Sequence, residues 1–149
     1  MKLQIARLQP QDEEQARDLI LAGMKEHWGV LDSSKNPDLN NIARSYADGL
    51  FLVARAQGQL IATGAFRPVD ANTVEIVRMS VHRAWRRQGV GRQMLDALCQ
   101  RARERGYQRA ILETTATWAG VIAFYRAYGF RITHQQEGDV YFEMHLAAD

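Results

Sequence analysis

The stretch TVEIVRMSVHRAWRRQGVGRQMLDAL, residues 73–98, reads as a strand, a basic loop and a helix in immediate succession. Thr73 to Val81 is rich in β-branched and apolar residues, as a long strand requires. Val90, Met94, Leu95, Leu98, Cys99 and Ala102 recur at helical spacing, and Gly106 supplies a stop. Between them Arg86, Arg87, Gln88, Gly89, Val90 and Gly91 spell R-x-x-G-x-G. Such a loop is an anion cradle. Glycines let backbone approach a phosphate, successive N–H groups point at its oxygens, and the helix end adds partial positive charge. Arg83, Arg86, Arg87 and Arg92, crowded within ten residues, strengthen that field.

Working upstream, Lys2 to Leu8 alternates as a strand, and Pro10 suits the first turn of a helix. Acidic residues 12–14 favour a helix N-terminus, and the helix ends near Gly29. Leu31 to Pro37 reads as a loop, and Asp38 to Ala47 as a second short helix closed by Gly49. Leu50 to Ala56 and Leu60 to Arg67 form a hairpin around Gln57 and Gly58, and Pro68 to Asn72 turns the chain into the strand at Thr73. Downstream, Ala110 to Leu112 is a short buried strand and Thr117 to Tyr128 a helix closed by Gly129. Phe130–Gln136 and Val140–Leu146 make a final hairpin around Gly138.

The order β α α β β β α β α β β describes one α/β domain over residues 1–149. It has a mixed, mostly antiparallel sheet of about seven strands, flanked by about four helices. One strand–helix–strand crossover makes its two strands parallel. Ligands bind beside strand ends and helix N-termini at such crossovers.

Composition excludes several classes. No apolar run approaches the roughly 20 residues that span a bilayer, so a membrane protein is not expected. Met1 to Leu8 lacks the features of a secretory signal and Cys99 has no cysteine partner, which suggests a cytoplasmic home. A net charge of +2, with no aromatic platform among the arginines, argues against nucleic-acid binding. The histidines show no metal-ligand spacing, and no metal site is expected. A dinucleotide fingerprint would put its third glycine at Met94, and the loop from Val81 to Gly89 is too long for its tight turn.

Thr73 to Leu98 resembles motif A of the GNAT superfamily of N-acetyltransferases, in which loop amides hold the pyrophosphate of coenzyme A. Here those positions are Arg86, Arg87, Gln88, Gly89, Val90, Gly91 and Arg92. The resemblance also implies that backbone groups of Met79 and Val81, with Ser80 between them, pair with the pantetheine arm. Ala123 to Phe130, with a tyrosine shortly before Gly-Phe, looks like motif B of the same superfamily. One departure stands out: many members carry an asparagine seven residues before that tyrosine, and this chain has Trp118.

The implied reaction transfers an acetyl group from acetyl-CoA to a primary amine in a ternary complex, with a small molecule favoured as acceptor. It requires deprotonation of an ammonium, stabilisation of an oxyanion and a proton donor for the leaving thiolate. By analogy with the family, Tyr125 is the candidate acid, with Tyr128 nearby as a packing residue, and Glu75 is the candidate base, although several members use a water chain or another carboxylate. A bulge in the strand would free the N–H of Met79 or a neighbour for the oxyanion. Substrate contacts are expected from Glu26, His27, Trp28, Asp32, Tyr46 and Tyr141, because carboxylates and aromatic faces suit a cationic amine. Two alternatives stay open: a non-catalytic acyl-CoA-binding sensor, and an N-acetyltransferase of proteins or peptides. Exposed edge strands leave room for a homodimer.

Overall fold

The computed structural model describes residues 3–28 and 36–146; of His27 and Trp28 it describes only the backbone. Seven strands lie in the order β1-β2-β3-β4-β5-β7-β6. They are β1 (Gln4–Arg7), β2 (Leu50–Ala56), β3 (Gln59–Pro68), β4 (Thr73–Val81), β5 (Arg109–Thr115), β6 (Arg131–Gln136) and β7 (Asp139–His145). The helices are α1 (Glu13–Trp28), α2 (Ile42–Ser45), α3 (Val90–Glu104) and α4 (Ala119–Tyr128). The single crossover expected from the alternation is present, with β4 and β5 parallel through Thr73–Glu75 and Arg109–Ile111.

One element departs from expectation. The second helix is broken into a 3-10 turn at Pro37–Asn40 and the single turn α2. Asn41 causes the break: at φ −152° and ψ 85° it leaves helical space, and its side chain accepts from the Arg44 amide as an N-cap. α1 fixes both pieces, because Arg17 donates to the Leu39 carbonyl at 2.7 Å and Glu13 accepts from the Ile42 amide at 2.7 Å.

The chain forms two compact units, one of residues 1–67 and 77–98, the other of residues 68–76 and 99–149. In the first, Ile20, Leu39, Ile42, Phe51 and Val53 build a buried cluster under α1, each large side chain contributing about 1.5–3 kcal/mol. On the opposite face of β3, Gly64 admits α3: a Cβ there would lie 2.6 Å from Met94 Cγ and 2.9 Å from Met79 Sδ. In the second unit, Phe130, Val140 and Phe142 are buried, and Arg109 and Arg131 both bind Glu143. Cys99 is fully buried and forms no disulfide, as its place in the helical repeat implied.

β4 carries the irregularity that matters most. Side chains of a regular strand alternate between faces. Val77 packs on the cluster under α1, yet Arg78 reaches the same side, to Met24 and Asp38. Met79 turns to the α3 face, while Ser80 Oγ lies 3.4 Å from where a Cβ on Gly23 would stand. Two consecutive residues thus share a face. Arg78 sits at φ 57°, in the left-handed region, and its carbonyl accepts from the buried Thr63 hydroxyl at 2.8 Å. These features define a β-bulge. A signal was there in the sequence: apolar residues fall on 74 and 76 and resume at 79 and 81, a phase change of one residue, with Val77 on the other face.

The Arg78 guanidinium is clamped. Nε and Nη2 donate to Asp38 at 2.9 and 2.6 Å, Nη2 also to Asn36 at 3.1 Å, and Tyr46 donates its hydroxyl to Asp38 at 2.6 Å. Burial by itself would raise the Asp38 pKa, but the hydrogen bonds from Arg78 and Tyr46 outweigh it and hold the carboxyl below its usual range.

Two outcomes are expected. Gly49→Ala would put its Cβ 2.1 Å from the Phe66 carbonyl oxygen, and chemical denaturation should show a loss of about 1–3 kcal/mol. Asp38 binds a proton less readily folded than unfolded, so its contribution is complete above the unfolded pKa of about 3.9 and fades as pH falls through the lower folded value. Asp38→Asn should therefore cost about 1–3 kcal/mol at neutral pH and progressively less in strong acid, read from urea midpoints across pH.

Candidate active site

The loop after β4 is built for approach by an anion. His82 anchors its start, donating its amide to Ile61 O at 2.7 Å and accepting from the Ala84 amide on Nδ1 at 3.1 Å. Residues Arg86 to Gly89 are exposed. Arg87 at φ 63° and Gly89 at φ 82° are left-handed, and Gln88 between them is not. Such alternation turns successive amides into one concavity. α3 follows at Val90, so its first amides lack intrahelical acceptors and face the loop end. A Cβ on Gly89 would meet nothing within 4 Å, so open space lies above the backbone. Beside the loop, a hollow of about 520 Å³ is walled by Trp85, Gln88 and the Gln57–Gly58 turn.

The expected cofactor residues are differently disposed. Gly89, Val90 and Gly91 offer backbone at the helix start, and Arg87 and Arg92 are exposed on either side. The Arg86 side chain turns away, giving 2.7 and 3.2 Å hydrogen bonds to Glu26 of α1 and a 3.1 Å bond from Nε to the Val81 carbonyl. Glu26, expected against substrate, is thus tied to the loop. Met79, Ser80 and Val81 form the half-buried end of β4 just beyond the bulge.

Tyr125 and Glu75 belong to the second unit. Tyr125 is 7% exposed. Phe130 and Phe142 stand at ring-centroid distances of 5.8 and 5.9 Å from it. The turn that places it is set by Gly129 at φ 131°: the amides of Gly129 and Phe130 both return to the Tyr125 carbonyl, at 3.3 and 3.0 Å. Burial pushes the phenol pKa well above its usual value, so Tyr125 stays protonated and can donate. Tyr128 stacks on Phe130 at 6.1 Å, the packing role foreseen for it. Glu75 is half-buried and opposite Ile111 in the parallel register. Trp118, in place of the usual asparagine, caps α4 through its backbone: its amide donates to Thr115 and its carbonyl accepts from Ile122, both at 3.0 Å.

The remaining substrate candidates are scattered. Tyr46 is buried, edge-on to Phe51 and bonded to Asp38, so its hydroxyl acts on the clamp. Tyr141 stacks face to face on His134 at 4.3 Å, and its hydrogen bond with Glu113 raises the phenol pKa. The side chains of His27 and Trp28, and all of Asp32, lie outside the described residues. Residues that sequence reasoning missed are Asp38, Thr63 and Arg78, which together hold the bulge. Among the described residues no three of His, Cys, Asp and Glu gather as a metal site, and no helix is long and apolar enough to cross a membrane.

Comparison with known proteins follows the same lines. Rat N-acetyltransferase 8F1 is 31% identical over 106 residues, covering 66% of this chain and 48% of the rat protein. Human N-acetyltransferase 8B is 27% identical over 120 residues, covering 74% and 53%. The chain thus spans about half the length of the curated relatives it matches. A GNAT-family acetyltransferase from Staphylococcus aureus Mu50 superposes with TM-score 0.90 at 21% identity, covering 98% of this chain and 100% of that one. The PaiA N-acetyltransferase of Thermoplasma acidophilum, solved with coenzyme A, gives 0.85 at 21% identity, covering 97% and 99%. Residues 13–130 match the Acetyltransferase (GNAT) family, and the chain belongs to that family.

Proposed function

We propose that the chain is one N-acetyltransferase domain that moves the acetyl group of acetyl-CoA to a primary amine of a small molecule. The observation that carries this reading is the R-x-x-G-x-G loop itself, folded with left-handed residues at 87 and 89 ahead of α3, in a chain of the GNAT family. Open space above Gly89, the exposed Arg87 and Arg92 and the free helix amides suit a pyrophosphate.

Bound acetyl-CoA supplies the activated thioester. The chain's own groups do the rest. Amides of Gln88 to Gly91 hold phosphate oxygens, and backbone groups of Met79 and Val81 align the pantetheine arm. Glu75 takes a proton from the incoming ammonium, directly or through water. Tyr125 gives its O–H to the departing sulfur. Its raised pKa makes complete transfer to a thiolate of pKa roughly 8.5 uphill, so its service is a strong hydrogen bond, with solvent completing the protonation.

The first experiment is thiol release from acetyl-CoA against polyamines, amino acids, aminoglycosides and short peptides, with the enzyme-free rate as baseline. Turnover on one small-amine class is expected. Preference for peptides would replace the substrate assignment, and silence with intact CoA binding would favour a sensor. With an active amine, Tyr125→Phe and Glu75→Gln should each lower kcat roughly 10²-fold; unchanged rates would refute the roles. Gly89→Ala, whose strain lies in the left-handed backbone, should weaken CoA binding roughly 5- to 30-fold by calorimetry while the melting temperature of the CoA-free protein falls only modestly.

A further inference from the structure

We infer that Arg78 is a positioning residue of the acetyl-transfer site: Asp38, steadied by Tyr46, and Thr63 grip its side chain and carbonyl, so that its left-handed backbone fixes the Met79 amide. The inference rests on the acetyltransferase reading above.

Arginine at φ 57° in mid-strand costs energy that glycine would not. Left to itself the residue would relax toward extended backbone and restore the ladder. Two contacts oppose that, one on each end of the residue. Thr63, fully buried on β3, donates to the Arg78 carbonyl at 2.8 Å and so fixes the direction in which that carbonyl points. On the other end, Asp38 receives the guanidinium on both oxygens, with Asn36 at 3.1 Å as a third acceptor. Asp38 is itself immobilised, since the buried Tyr46 donates to it at 2.6 Å and Tyr46 is locked edge-on against Phe51 at 5.3 Å. The segment carrying Asp38 is in turn bound to α1 through Arg17 and Leu39.

The arrangement has a consequence for the next residue. The Met79 amide shares its peptide plane with the Arg78 carbonyl. Thr63 therefore orients that amide by holding the carbonyl, and the Asp38 grip keeps the plane from rotating back. Arg78 does not need to touch substrate to matter. Its side chain works through its own φ, which distinguishes it from an ion pair that only adds stability.

Glycine separates the two roles, because it takes positive φ unaided whereas alanine does not. In an Asp38→Ala background the unanchored Arg78 should relax: kcat should fall roughly 5- to 30-fold, and the ¹⁵N–¹H resonance of Met79 should move. Adding Arg78→Gly should restore both kcat and the resonance, and adding Arg78→Ala should restore neither, although each removes the same unpaired charge. Tyr46→Phe, which keeps the ring, should lower kcat by a smaller factor in an otherwise folded protein. Equal kcat in the glycine and alanine double variants would overturn the positioning role, as would a Met79 resonance that Asp38→Ala leaves in place. Absence of thiol release from the wild type on every amine would defeat the acetyltransferase reading instead, and the resonance would still decide whether the clamp sets the bulge.

Discussion

A strand that must face two different packing demands cannot stay regular, and β4 is such a strand. Its first half pairs with β5 and buries Val74 and Ile76. Its second half sends Val77 under α1 and Met79 toward α3. One extra residue reconciles the two phases, and Arg78 absorbs it at φ 57°. The features near the candidate site depend on that adjustment. The strand end at Met79 to Val81, the anchor of His82 on Ile61 and the start of the basic loop all follow from where the bulge leaves the chain.

Much of this was legible before any coordinates, because the controlling patterns are local. Alternation marked the strands, the 3.6-residue period marked α1 and α3, and Gly129 closed α4 as a left-handed residue. What escaped was set by contacts distant in sequence. Asn41 breaks the expected second helix because its amide-bearing neighbours are claimed by Glu13, 29 residues away, and by its own side chain. Arg78 gave no glycine-like cue for left-handed backbone, since the Asp38 grip that sustains it spans 40 residues. The phase change from 74 and 76 to 79 and 81 was the one local trace. In the candidate site the loop was readable because backbone geometry follows its glycines, whereas Arg86 turning to Glu26 required knowing where α1 lies.

Tyr125 illustrates how packing sets chemistry. The contacts that fix its ring, to Phe124, Phe130 and Phe142, also remove water from the phenol. Burial then raises its pKa and makes it a poorer acid but a more constant donor. In the role proposed for Tyr125, constancy would be the more useful property, because a leaving sulfur needs partial neutralisation as the bond breaks and little driving force for full protonation.

Positive φ at non-glycine residues makes a similar distinction between geometry that turns require and geometry that function requires. Among the described residues four such positions occur: Gln57, Arg78, Arg87 and Glu137. Gln57 with Gly58 and Glu137 with Gly138 are paired left-handed residues in two-residue hairpin loops, where the twist of the flanking strands demands them. Arg78 and Arg87 have no such excuse. One lies inside a strand and the other in an exposed loop, and each spends on the order of 1–3 kcal/mol on its conformation. The strain at Arg78 accommodates the change of packing face within β4, and that at Arg87 lies in the exposed loop, residues 82–89, that leads into α3. Under the proposed function, the amides reoriented at both places would serve as donors for a ligand with an extended arm and a phosphate at its end.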